Sequence, residues 1–391
     1  MVTIKKEKEQ SNSKSLQRRS FLKLAGLSFA GLSIGFPRWG HAAEKLPEIT
    51  GDHKHLWHTD ANGNLYFVAK NLKTDKIDQS KVKAKVDGEW KEYQIKSFDD
   101  EFHTWWIAEK DWYYNQLIGF FEGTIEDFNI PNGGHHHPML CTYGVKKSGR
   151  GDSEFHLNCT PKGFTIIPKV EYMDQIMEEI EAVYNDPNAA LPVDVFKKRQ
   201  ELYHQKDLWD TTRFATLELY SGRPINANDG GGCYGFKETH TFSHVMDNPM
   251  ATLTYMALWN TDGTQSYFQG FADETPTFEF RGFSWMISYY NPCNGDYEKK
   301  VADYINQAHC GYHGGACDIA TNVFLVCEQF NNSPGGDPYG LGKRSVPSYT
   351  YDDYYDVCTE PRPATIYKPK SAKKLTKEEK IALIKKLRIP V

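Results

Sequence analysis

From Leu65 to about Lys169, apolar and polar side chains alternate with a period of two. Successive strand residues point to opposite faces, so this rhythm predicts strands with one face on a core. Leu65–Ala69 reads as the first. Val82, Ala84 and Val86 alternate with lysines, Asp87-Gly88 follows, and Trp90, Tyr93 and Ile95 resume the pattern. Asp-Gly between alternating runs favours a tight hairpin turn. Thr104–Ala108, Gln116–Phe121, Cys141–Val145, Phe155–Cys159 and Phe164–Pro168 extend the predicted strands. The rhythm then changes. Val170, Met173, Ile176, Met177, Ile180 and Tyr184 recur at helical spacing until Asp186-Pro187. Pro192 opens a second helix, with Val195, Phe196, Leu202 and Tyr203 on its apolar side. Strands return at Phe214–Tyr220, Ala251–Trp259, Gln265–Phe271, Thr277–Phe280, Phe283–Tyr290 and Ile319–Cys327. A helix over Tyr297–His309 precedes the last of them.

Many short strands with turn signals and few helices predict an α+β, β-rich fold. We expect β-sandwich-like strands with inserted helices and a C-terminal helix. Five regions follow: a leader over 1–43, a β-rich region over 44–169, a helical insertion or joint over 170–207, a second β-rich region with one helix over 208–345, and 346–391. In the last, Thr376 and Glu379 form a capping box for a terminal helix carrying Leu383, Ile384 and Leu387.

The leader narrows the compartment. Gln17-Arg18-Arg19-Ser20-Phe21-Leu22-Lys23 precedes an apolar stretch from Leu24 to Phe36, and His41-Ala42-Ala43 follows. Paired arginines, a Phe-Leu-Lys sequence, a Gly/Ala-rich apolar core and small residues at a cleavage site resemble a twin-arginine export signal. The apolar run is about thirteen residues, against the about twenty needed to span a bilayer. The resemblance implies recognition by the twin-arginine export machinery, cleavage near Ala43 and a periplasmic destination. It also implies folding before export, often around a cofactor. No later segment approaches a membrane span.

Charge excludes one class of partner. Beyond residue 43 the chain holds 38 basic and 49 acidic residues, and nine of the basic ones fall in 368–391. The acidic body argues against nucleic-acid binding, which relies on Lys and Arg neutralising phosphates. The basic tail reads as a solvated helix or as a dock for an acidic, cofactor-bearing partner protein or a lipid surface. Aromatics make up 14% of the chain, and the simplest role for them is a β-rich core. All eight cysteines lie beyond the leader. An even number in an oxidising compartment suggests disulfides, without fixing their connectivity.

The fourteen histidines cluster. His309, Cys310, His313 and Cys317 form the densest group, at a predicted helix end that runs into a glycine-rich turn. Imidazole and thiolate suit copper, iron and zinc, and glycines let a loop gather several ligands. His309, Cys310 and His313 are therefore the first metal-ligand candidates. Cys310-x2-His313 resembles the ligand loop of small blue-copper proteins, although Asp318 stands where that loop would want a methionine. His135 and His137 are the second candidates, in a triplet after Gly133-Gly134 and before Met139 and Cys141. His53, His55 and His58 form a group near the mature N-terminus. His240 and His244 share a face, whether their segment is helical or, as Thr239–Phe242 suggests, a strand. They could also act as base toward Cys233, which Asp229–Gly235 presents in a glycine-rich loop. The G-x-G-x-x-G within that loop lacks the preceding strand and following helix of a dinucleotide site.

These features make an exported, periplasmic metal- or redox-cofactor-binding protein, an oxidoreductase using a His/Cys site, the leading expectation. The alternatives are a disulfide-stapled carbohydrate-binding or carbohydrate-active module, using aromatics and acids such as Asp273, Glu274 and Glu279, or a non-catalytic subunit of an exported complex.

Overall fold

The computed structural model describes residues 54–125, 135, 137–144, 156–217, 239–256, 277–313, 320–332 and 343–346, with backbone alone at 54, 65, 217, 306–313 and 343–346. The leader, the His53 position, the Gln265–Phe271 strand, the glycine-rich loop with Cys233, Cys317 and the C-terminal helix lie outside these residues.

The fold is α+β and β-rich. Strands β1 (Trp57–Thr59) and β2 (Leu65–Phe67) form a small hairpin, and β3 (Leu72–Lys73), β4 (Lys81–Val86) and β5 (Glu89–Gln94) a three-stranded sheet. Asp87 and Gly88 both take positive φ, 50° and 89°, as the Asp-Gly signal requires. The main sheet has eight strands: β6 (Met139–Tyr143), β7 (Leu157–Pro161), β8 (Thr165–Pro168), β9 (Trp209–Leu217), β10 (Met250–Met256), β11 (Thr277–Ser288), β12 (Ala320–Asn331) and β13 (Lys343–Val346). Their order is β7-β6-β10-β11-β12-β9-β8, with β13 also on β12. Neighbouring strands run antiparallel throughout. The three-stranded sheet meets the large one where Tyr93 packs against Phe283, ring centroids 4.6 Å apart. Val82 and Ala84 of β4 join the same buried cluster as the large sheet.

Two of the expected strands are corrected. Thr104–Ala108 and Gln116–Phe121 both belong to one helix, α1 (Asp100–Glu122). Asp99 caps it by accepting from the Phe102 N–H, Asp100 and Glu101 favour its positive end, and Gly123 ends it at φ 81°. Aromatic and β-branched residues at Trp105, Trp106 and Ile107 imitate a strand. The helix is buried around much of its circumference, which removes the one-sided stripe that would mark it. The expected helices over 170–184 and from Pro192 form as α2 (Met173–Asn185) and α3 (Val193–Tyr203). Thr277–Phe280 and Phe283–Tyr290 merge into the single strand β11, and the break between them is a bulge at Arg281/Gly282 against β12. The strand suggested over Thr239–Phe242 is instead the start of α4 (His240–Asp247), because the Thr239 hydroxyl caps it by accepting from the Phe242 N–H.

One buried cluster runs from Ile77 to Cys327 through sheet and helices. Phe102 of α1 lies at its centre, with ring centroids 4.6 Å from Phe280, 5.2 Å from Phe278 and Tyr255, and 5.7 Å from Phe214. Trp105 and Trp106 are fully buried, and Trp209 and Trp285 nearly so. These aromatics fill the core rather than a surface platform. A second cluster joins Trp57, Phe67, Phe242 and Met286 beneath α4. No described helix is long and apolar enough to cross a membrane.

Candidate functional site

Helix α1 carries two adjacent stripes of chemistry. Glu109 and Tyr113, four residues apart, lie on one, and Trp106, Lys110 and Tyr114 lie on the next. The turn leading into β6 brings His135 against the first stripe. His135 Nδ1 stands 3.7 Å from Glu109 Oε2, with the two side chains 1% and 3% exposed. The distance exceeds that of a hydrogen bond and leaves an electrostatic contact. The Tyr113 ring meets the imidazole edge-on, with centroids 5.4 Å apart. Ionisable groups taken this far from water need partners, so a carboxylate facing an imidazole is the arrangement burial demands. Nδ1 turned toward a carboxylate favours the tautomer with its proton there, in which Nε2 carries the lone pair that ligates metals. His137 is half-buried two residues on.

On the second stripe the Lys110 ammonium sits 4.9 Å over the Trp106 ring and 5.5 Å over the Tyr203 ring. Lys110 makes no ion pair among the described residues. Burial, reinforced by Arg199, pushes its ammonium down to about 7. A lysine near 7 is partly a free amine at neutral pH, the form able to act as base or nucleophile. About two turns earlier His103 is 4% exposed and lies edge-on to Phe98. Burial, with Lys206 adding to it, holds its imidazole below the ordinary value. Neither Glu109, Lys110 nor His103 was marked by the sequence analysis. Charged residues and a histidine beside an apolar run were the available signal, but all three fall outside the two expected strands, and without a helix over this segment nothing placed them in a core.

Helix α4 places His240 and His244 on one face, as their spacing required, with rings stacked 6.3 Å apart at 16°. His244 is buried, and its Nδ1 lies 3.3 Å from the Thr142 hydroxyl of β6. Burial keeps its imidazole below the ordinary value, and the charges of His240 and His156 act in the same direction. On the neighbouring strand, Asn158 donates to the Thr241 hydroxyl. This helix is therefore seated on the β6–β7 edge of the sheet.

The first metal candidates occupy the end of α5 (Asp296–His313). The expected helix end at His309 is corrected, since the helix continues through Gly311 to His313. Extending an established helix adds one bond per residue, which offsets the roughly 1 kcal/mol penalty of a glycine. His309 and His313 are thus one helical turn apart with Cys310 between them, not in a ligand loop like that of blue-copper proteins. Their side chains lie outside the described residues.

Among the described residues, no three His, Cys, Asp or Glu side chains are grouped closely enough to hold a metal ion. His135 is brought to Glu109, and His240 to His244. Among the described residues, the side chains of Cys141, Cys159, Cys293 and Cys327 form no disulfide. No protein family, curated protein or solved structure matches the chain.

Proposed function

We propose that the protein is exported by the twin-arginine route and holds a transition metal or metal-based redox cofactor in the periplasm, where it serves as an oxidoreductase. The observation that carries this reading is the buried Glu109–His135 pair, 3.7 Å apart inside the core. Carboxylates behind ligating histidines fix the ring and raise its basicity. Glu109 takes that orienting role and His135 the ligand role, with His137 as the adjacent donor. A complete site needs more donors than the described residues supply. His309, Cys310 and His313 form a second donor group along one end of α5. Copper or iron would cycle electrons, and zinc would polarise bound water. The export resemblance supports the same reading, because that route carries proteins folded before export, often around a cofactor. An oxidising destination would also favour disulfides among the eight cysteines.

The test is elemental mass spectrometry on the protein recovered from the periplasm without chelator. We expect a near-integer ratio of copper, iron or zinc to chain. His135→Ala should abolish that content, and Glu109→Gln should weaken metal affinity about 10- to 100-fold. Circular dichroism on both variants separates loss of metal from loss of fold. A folded, metal-free wild type would sink the reading. Loss of metal in His309→Ala and His313→Ala but not in His135→Ala would move the site to α5.

A further inference from the structure

Cys141 and Cys159 are exact register partners on β6 and β7. Directly opposed residues of an antiparallel pair have Cα atoms roughly 4.5–5.5 Å apart, within the span a disulfide bridges. Cys141 is half-buried and Cys159 exposed. We propose that Cys141 and Cys159 are an oxidisable pair that closes into a cross-strand disulfide and locks the edge strand β7 to the sheet. This proposal is independent of the metal reading.

The location gives the bond a purpose. Strand β7 lies at the end of the sheet, and β6 is its neighbour there. Edge strands are the least restrained part of a sheet. On the opposite face, these same strands seat α4 through Thr142 to His244 and Asn158 to Thr241. A bond between Cys141 and Cys159 therefore stiffens the support of the His240–His244 face. It also closes the segment 142–158 into a loop.

The chemistry is thiol–disulfide exchange with an external disulfide as oxidant. The exposed Cys159 thiolate attacks one sulfur of that disulfide and releases the first thiolate. Cys141 then gives up its proton and attacks Cys159 Sγ, and the second thiolate leaves. Two protein thiols are oxidised, one disulfide is reduced to two thiols, and both protons end on the released thiols. Burial, with the Cys159 contact and the charge of Glu279 behind it, pushes the Cys141 thiol up to about 12. Cys141 is therefore a poor first nucleophile and fits the resolving role. A chain that folds in a reducing compartment would arrive with this pair already aligned.

The full chain is treated with oxidised glutathione, quenched with acid, alkylated, digested and mapped by mass spectrometry. We expect a linked peptide joining Cys141 to Cys159, a loss of 2 Da (~2 hydrogens), and full reversal by dithiothreitol. Hydrogen exchange at the β7 amides should slow at least about tenfold on oxidation. Cys159→Ser should leave Cys141 unlinked. Alkylation of both thiols after oxidant, or pairing of either with a different cysteine, would overturn the assignment. A linked pair with unchanged β7 exchange would overturn the locking role. The wild-type map decides the pairing even if the serine variant does not fold.

Discussion

Replacing Gly282 by alanine should destabilise the protein by about 3 kcal/mol, the upper end of what overpacking a core costs. Gly282 lies in β11, between Ala251 of β10 and Val326 of β12. It stands at the bulge, where β12 carries one extra residue. A Cβ there would overlap the backbone carbonyl oxygen of Leu325 and lie 3.3 Å from the Cys327 amide nitrogen. These are backbone atoms of a central strand, so no rotamer change relieves the contact. Strand β12 would have to shift, and Phe280 and Phe283 on either side of the glycine would lose their packing. Urea unfolding of wild type and Gly282→Ala, with m-values compared, measures the effect. A loss below about 0.5 kcal/mol, the usual range of an inert surface change, would show that the sheet tolerates the overlap.

Lys110→Met should stabilise the protein at neutral pH by about 1–4 kcal/mol, the range seen when buried charges are replaced by apolar groups. The wild type should also gain about 1.5 kcal/mol between about pH 7 and pH 8.5. The sign follows from proton counts. Unfolded, Lys110 holds its proton throughout this window. Folded, with its ammonium pushed down to about 7, it loses the proton across the same window. The unfolded state then binds more protons, so stability rises with pH. Other buried titratable groups set the limits. His103 and His244, held below the ordinary histidine value, cost stability as pH falls below about 6.5, where the unfolded chain takes up protons. Cys327 and Cys141, both pushed up to about 12 chiefly by burial, cost stability above about pH 8.5, where unfolded thiols ionise. Denaturant unfolding at several pH values, on wild type and Lys110→Met, is the measurement. The variant should lose the rise between pH 7 and 8.5. A rise that survives the substitution would place its origin elsewhere. A lysine retained at this expense suits a working amine, so a metal, redox or ligand assay on the stabilised variant also reports on its use.

The β4–β5 hairpin, α2 and α3 were legible because each rests on local signals: Asp87-Gly88, helical spacing from Val170, and Pro192. Helix α1 was not. Its apolar residues face core on several sides, so the usual stripe disappears and Trp105–Ile107 read as strand. Without that helix nothing placed His103, Glu109 and Lys110, which flank the expected strand Thr104–Ala108, inside the core. His135 was legible as a candidate, but its partner was not, since nothing in the spacing of 109 and 135 tells which side of a helix meets a distant turn.

The sequence by itself determined the β-rich α+β class, the acidic body and the cysteine and histidine inventory. It also supplied the twin-arginine resemblance on which the export proposal rests. These depend on composition and on periodicities within a few residues. Only the tertiary structure decided that Glu109 faces His135, that Lys110 meets the Tyr203 ring, that Cys141 opposes Cys159, and that Gly282 has no room for a methyl group. Each joins different elements of the chain, and helix packing, strand order and register, which local preference does not encode, fix those meetings.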